Sequence, residues 1–144
     1  MKKLLLALAL LFTVTTITAQ EGFSISAVQN LDDRMITGIV EAKVETPKGF
    51  TVGFAGELSP GTNQQKFNAQ IGQAFNIGPV GVTGSALIGS TINKSVNQHF
   101  YGLDATGSLK LIPTVALVAK VRYQSSFEDP NFTPRYFAGV KINL

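Results

Sequence analysis

The chain contains no cysteine, no tryptophan and a single histidine, and charged residues make up only 15% of its 144 positions. Each scarcity excludes something. Without cysteine there is no disulfide framework of the kind that staples small secreted domains. With one histidine, His99, and no cysteine there is no ligand cluster with metal spacing, and no metal or cofactor is expected. The charge content is well below the ~25% of typical soluble domains. The net charge of +3 is also partly carried by Lys2 and Lys3. With no phosphate-cradling glycine loop and no basic-aromatic patch, a nucleic-acid partner is not expected. Helical periodicity is missing as well: beyond the N-terminus no useful stretch repeats its apolar residues every 3.6 positions.

The N-terminus has a different character. In MKKLLLALALLFTVTTITAQ two lysines precede an uncharged apolar core from Leu4 to about Val14. Small and polar residues follow at Thr18, Ala19 and Gln20. This is the layout of a secretory signal peptide. The core is shorter than the ~20 residues a spanning helix needs. Residues 1–20 are therefore expected to be a signal peptide and 21–144 a single domain. An exported chain without cysteine points to a bacterial envelope.

What remains alternates. From Lys66 to Ile92 the apolar or small residues Phe67, Ala69, Ile71, Phe75, Ile77, Val80, Val82, Ala86, Ile88 and Ile92 are spaced by Asn68, Gln70, Asn76, Thr83, Ser85 and Thr91. The turn cluster Asn76-Ile77-Gly78-Pro79 interrupts them. That is the period of two strands in a hairpin. The same reading predicts eight strands: 23–29, 34–46, 50–58, 65–77, 80–92, 99–112, 114–127 and 135–144. From the third strand on, longer polar links alternate with very short ones, as in an up-and-down barrel with short turns at one end and loops at the other. The first loop, 30–33, is short for this scheme. An even strand count closes the wall and leaves no edge. The predicted fold is all-β, an eight-stranded antiparallel up-and-down transmembrane barrel.

The two faces of these strands differ sharply. One carries Phe23, Ile36, Val40, Phe54, Ile71, Val82, Ile88, Leu103, Leu109, Leu117, Val140, Ile142 and their kin, with no charge. The other carries Glu41, Lys43, Glu45, Glu57, Lys66, Asp104, Lys110, Lys120, Arg122 and Lys141 among Ser, Thr, Asn, Gln and Gly. A soluble barrel holding a small apolar ligand would put the first face inside. A membrane barrel would put it outside. Strands of ten or more residues suit a bilayer, where about 9–11 are needed; globular strands have a mode near 5–6. Aromatic residues on the apolar face gather near strand ends. Phe50 and Phe75 stand toward the turns, and Phe67, Tyr101, Tyr123 and Tyr136 toward the loops, as two lipid-facing interfacial girdles would. The membrane arrangement is therefore preferred.

The last strand, RYFAGVKINL, places Tyr136, Ala138, Val140, Ile142 and Leu144 on alternate positions up to the final residue. It resembles the C-terminal targeting strand of outer-membrane β-barrel proteins, although these usually end in an aromatic residue and Leu144 is not one. The mature chain as a whole resembles the small eight-stranded outer-membrane barrels, including the transmembrane part of outer-membrane protein A and its X and W relatives. The resemblance is architectural and rests on no subfamily motif. It implies residence in the bacterial outer membrane as a monomer, contact with outer-membrane lipid and lipopolysaccharide, and recognition of the C-terminal strand by the barrel-assembly machinery. It also implies a structural or surface-interaction role with no large pore.

Inside such a barrel, Glu41, Glu57 and Asp104 are expected to pair with Lys43, Lys66, Lys110, Lys120, Arg122 and Lys141, because an unpaired buried charge is costly. Gly38, Gly56, Gly84 and Gly107 fall on the lipid face, where aromatic neighbours could cover them. No catalytic residue is assigned. A lesser alternative is an outer-leaflet lipid-modifying enzyme, in which His99 would need Ser90, Ser95, Ser125 or Ser126 within hydrogen-bond reach and Glu128 or Asp129 nearby. Asp32 and Asp33 in the first loop are the one weak candidate for a divalent ion.

Overall fold

A computed structural model describes residues 22–31, 37–59, 64–92 and 97–144. The expected signal segment and the Asp32–Asp33 pair lie outside them. Eight strands follow one another: β1 (Phe23–Asn30), β2 (Gly38–Glu45), β3 (Phe50–Ser59), β4 (Gln64–Ile77), β5 (Val80–Ile92), β6 (Asn97–Ile112), β7 (Val115–Ser126) and β8 (Thr133–Asn143). Each pairs antiparallel with the next, and β8 returns to β1, so the sheet is a closed barrel. Boundaries agree with the alternation to within about two residues, except in β2. There the described strand starts at Gly38, and residues 34–36, which the alternation also assigned to it, lie outside the described residues.

The short turns are dictated locally. Ile77 pairs with Val80, leaving Gly78 and Pro79 as a two-residue turn. Gly78 has φ 58°, a left-handed value that side chains with a Cβ avoid, and proline supplies the fixed φ that follows. Gly49 closes the β2–β3 turn at φ 82°.

The wall is strongly sheared. Tracing paired neighbours from Ser24 through Lys43, Gly53, Gln70, Leu87, Gly102 and Gln124 leads to Thr133, yet β8 presents Asn143 to Ser24, a stagger of ten residues. With eight strands this tilts each one steeply, about 35–45° to the axis. A twelve-residue strand is about 40 Å long and so rises roughly 30 Å, the thickness of a bilayer's hydrocarbon core. The tilt also sets heights. Glu41 on β2 comes level with Lys120 on β7, and Glu57 on β3 with Arg135 on β8, so residues distant along the wall meet across the lumen.

Candidate functional site: a filled interior and an apolar wall

Polarity runs opposite to that of a soluble domain. The interior buries Glu57 (1% exposed), Lys120 (2%), Asp104 (3%), Glu41 (3%) and Arg122 (0%). The outer wall exposes Phe54 (59%), Ile71 (59%), Phe75 (64%), Val82, Ile88, Leu103, Leu117 and Ile142. A core of ions is tolerable only when its members offset one another. These form a ladder along the axis, which among the described residues leaves Glu57 Oε2, Arg122 Nη1, Asn68 Nδ2 and Gln70 Oε1 without a hydrogen-bond partner.

At the turn end Glu41 accepts from Lys43 Nζ at 2.8 Å, from Gln70 Nε2 at 2.9 Å and from Lys120 Nζ. Gln70 Nε2 also donates to Asn68 Oδ1 at 2.8 Å. Lys120 lies 3.4 Å from Asp104 Oδ2. Arg122 grips both Asp104 oxygens through Nε and Nη2, each at 2.8 Å, the bidentate geometry that makes arginine the strongest partner for a carboxylate. Its remaining nitrogen, Nη1, points to Glu57 Oε2 at 3.7 Å. Glu57 Oε1 in turn accepts from Arg135 Nη1 at 2.6 Å, with Lys66 Nζ at 3.9 Å. Cations and anions therefore alternate from Lys43 to Arg135. A small apolar cluster of Val28, Ile39, Ala55, Val118 and Phe137 fills the space beside them, and the Arg135 guanidinium lies 5.2 Å over the Phe137 ring.

Of the residues proposed for the interior, the structure brings Glu41, Lys43, Glu57, Lys66, Asp104, Lys120 and Arg122 together. Lys110 and Lys141 stand apart. With Glu45, Asn76 and Asn143 they border the mouth at the turn end, Lys110 is exposed, and among the described residues neither joins an ion pair of the ladder. They lie on the inward side of their strands but below the last carboxylate of the ladder, beside Glu45 at the mouth. Arg135 was missed although its signal was present: Tyr136 on the apolar face puts its predecessor inside. Gln70 and Asn68, uncharged residues of the same polar face, join the ladder as hydrogen-bonding members.

The proposed girdle residues all lie on the outer wall. Phe50, Phe67, Phe75, Tyr123 and Tyr136 are exposed. Tyr101 is half-buried because Phe127 and Phe132, from the link between β7 and β8, lie against it with ring centres 4.8 and 5.6 Å away. Phe23 departs from its assignment to the lipid face: it is 3% exposed and borders the mouth at the turn end. Of the four wall glycines only Gly56 has an aromatic neighbour, with a Cβ there meeting the Phe67 ring at 3.6 Å. Gly38 and Gly84 border open space.

On the loop side, Ser90 and His99 are direct cross-strand neighbours, and Ser90 Oγ lies 2.8 Å from His99 Nδ1. None of the other candidates for that chemistry completes the pair. Glu128 accepts from Gln98 Nε2 at 3.3 Å, Asp129 from Asn131 Nδ2 at 2.6 Å, and Ser125 Oγ donates to the Asp129 carbonyl at 3.1 Å. Ser95 lies outside the described residues.

No protein-family model matches the sequence, and no curated relative is detectable from it. Solved structures do match. The fold is that of the small transmembrane β-barrels. A de novo designed transmembrane β-barrel superposes with a TM-score of 0.62 at 11% identity, over 86% of this chain and 96% of that one. The Yersinia pestis outer membrane protein Ail in a phospholipid bilayer nanodisc gives 0.59 at 14%, over 87% and 100%. Neisserial surface protein A gives 0.58 at 14%, over 85% and 96%. Small transmembrane barrels share with this chain the closed eight-stranded wall and little sequence.

Proposed function

We propose that this chain is an integral outer-membrane barrel of structural or surface-interaction role, without a large pore and without enzymatic activity. One observation carries the reading: the inversion of polarity, with a fully buried arginine, lysine and carboxylate ladder inside and large apolar side chains exposed around the wall. In water those side chains would form a contiguous apolar surface of a size that monomeric soluble proteins rarely expose. In a bilayer they meet acyl chains. A closed barrel is also one of the two backbone arrangements that satisfy every peptide group in lipid.

The same inversion argues against a soluble carrier of an apolar ligand, since the lumen is occupied by ion pairs. It argues equally against an open channel, because Lys120 reaches Glu41 and Arg122 reaches toward Glu57 across the lumen. One of the matching proteins is an outer membrane protein in its own name and another a surface protein, which supports the location. A designed barrel matches just as well, so the wall itself carries no clue to a particular partner. Surface contact would run through the four loop-side links.

The test is expression of the precursor in a Gram-negative host, isolation of outer membranes, and comparison of unboiled and boiled samples on a denaturing gel. A membrane-fraction band that shifts on boiling, with no large stepwise conductance in planar bilayers, is expected. A protein recovered from the periplasm without detergent would overturn the reading.

A further inference from the structure

The outer wall is largely apolar. Toward the loop end it is broken by Gln29, by Gln65 and by the Ser90–His99 pair, of which, among the described residues, the last alone is a directly hydrogen-bonded side-chain pair. Both residues point outward, on the loop side of Tyr101 and Phe67, just above the aromatic girdle. That is the level at which acyl chains join their head groups. Ile88, Gly89, Ser90, His99 and Phe127 frame an open cleft of about 540 Å³. Phe127 is held over it by its backbone N–H, which donates to the His99 carbonyl at 3.2 Å, and by its ring contact with Tyr101.

The pair has a definite hydrogen-bonding character. Whichever group donates across the 2.8 Å contact, one donor is left over. If Ser90 donates to Nδ1, the neutral ring carries its proton on Nε2. If Nδ1–H donates, the Ser90 hydroxyl proton is left over. Where lipid packs over this exposed pair and excludes water, a donor without an acceptor is costly. Among the described residues no protein acceptor is assigned to this donor. An acyl carbonyl is acceptor-only, and it arrives joined to an apolar chain that Ile88 and Phe127 can flank.

Resting on the outer-membrane reading above, we propose that this cleft seats the acyl-carbonyl region of one outer-leaflet lipid. The Ser90–His99 pair donates to the carbonyl, and the chain runs down between Ile88 and Phe127. The site is a binding site, and no bond is made or broken.

His99 is the one histidine of the chain, so histidine ring labelling with ¹⁵N reports this residue alone. The full chain would be placed in nanodiscs of dimyristoylphosphatidylcholine carrying ¹³C at the ester carbonyls, and in the matching diether lipid. The expected results are magnetisation transfer between the lipid carbonyl and the His99 ring, a ring shift that differs between ester and ether bilayers, and about a five-fold weaker transfer in Ser90→Ala, the scale of one hydrogen bond. A heat-shifted band and bilayer-type circular dichroism confirm insertion in each sample. If the inserted barrel shows only water or phosphate beside His99, or identical shifts in the two lipids, the proposal fails and the barrel reading stands. If the chain does not insert, both fail.

Discussion

Removing single members of the interior ladder should cost unequal amounts, and the geometry ranks them. Asp104 has two cationic partners: Arg122, bound through both oxygens at 2.8 Å, and Lys120 at 3.4 Å. Replacing it with leucine leaves Lys120 with Glu41 but leaves the fully buried Arg122 with Glu57 alone, at 3.7 Å. Breaking a buried pair from one side typically costs about 3–5 kcal/mol, because the surviving charge is stranded. Asp104→Leu belongs at the upper end of that range. Arg122→Met belongs at the lower end, near 3 kcal/mol, since Asp104 keeps Lys120 and Glu57 keeps Arg135 at 2.6 Å. The double variant strands neither partner of the bidentate pair, and apolar replacements of buried pairs are often neutral. It should therefore recover most of the loss, costing about 2 kcal/mol where independent losses would total about 8, a coupling energy of about 6 kcal/mol. The measurement is equilibrium folding into lipid vesicles across a urea gradient, read by circular dichroism and by the heat-shifted band. If both single variants cost under about 1 kcal/mol, the value of solvated ion pairs, the lumen is wet and the ladder is no sealed core.

Three further outcomes test other parts of the structure. Phe54→Arg, at a mid-height wall position that is 59% exposed, should destabilise the bilayer-inserted barrel by about 2–4 kcal/mol; the same change on a water-facing surface would be nearly silent, so a silent result in the vesicle folding assay refutes the lipid-facing assignment. Gly139→Val should block closure of the β8–β1 seam, because a Cβ there would run into the Ala27 carbonyl and stand 2.6 Å from Val28 Cα, whereas Gly84→Val, with nothing within 4 Å, should fold normally; loss of the heat-shifted band separates the two. Gly78→Val should cost about 1–2 kcal/mol by forcing a β-branched residue to φ 58°, seen as a lower urea midpoint.

The barrel was legible because its period is two and its faces never mix charge with bulk. From Phe67 to Ile92 the register could be read directly, and β5 has the predicted bounds, Val80–Ile92. Height was not legible. Alternation says that Lys110 and Lys120 share the inner face, but only the ten-residue stagger shows that Lys120 comes level with Glu41 while Lys110 drops to the mouth. Partners in a sheared barrel are set by the sum of tilts around the wall, which no single strand encodes. For the same reason Glu57 could be assigned inside, yet its link to Arg135, 78 residues away, could not be foreseen. The Ser90–His99 contact is a different case. It follows from the β5–β6 register, in which the two residues face each other across the Asn93–Lys94–Ser95–Val96 link.

The interior and the wall make different demands on a sequence, and this explains how little identity such a fold needs. Lipid asks of the wall only that it be apolar, so Gly84, Ala105 and Ala119 serve beside Phe54 and Ile71. The lumen asks for charge balance and volume rather than for particular residues. A designed transmembrane barrel shares this wall at 11% identity, and neither demand accounts for Ser90 and His99. A wall needs no polar pair at the interface, and a filled lumen does not reach it. What remains unexplained by folding is concentrated at the loop end of β5 and β6 and in the phenylalanines that lean over it. That is where a role particular to this chain should first be sought.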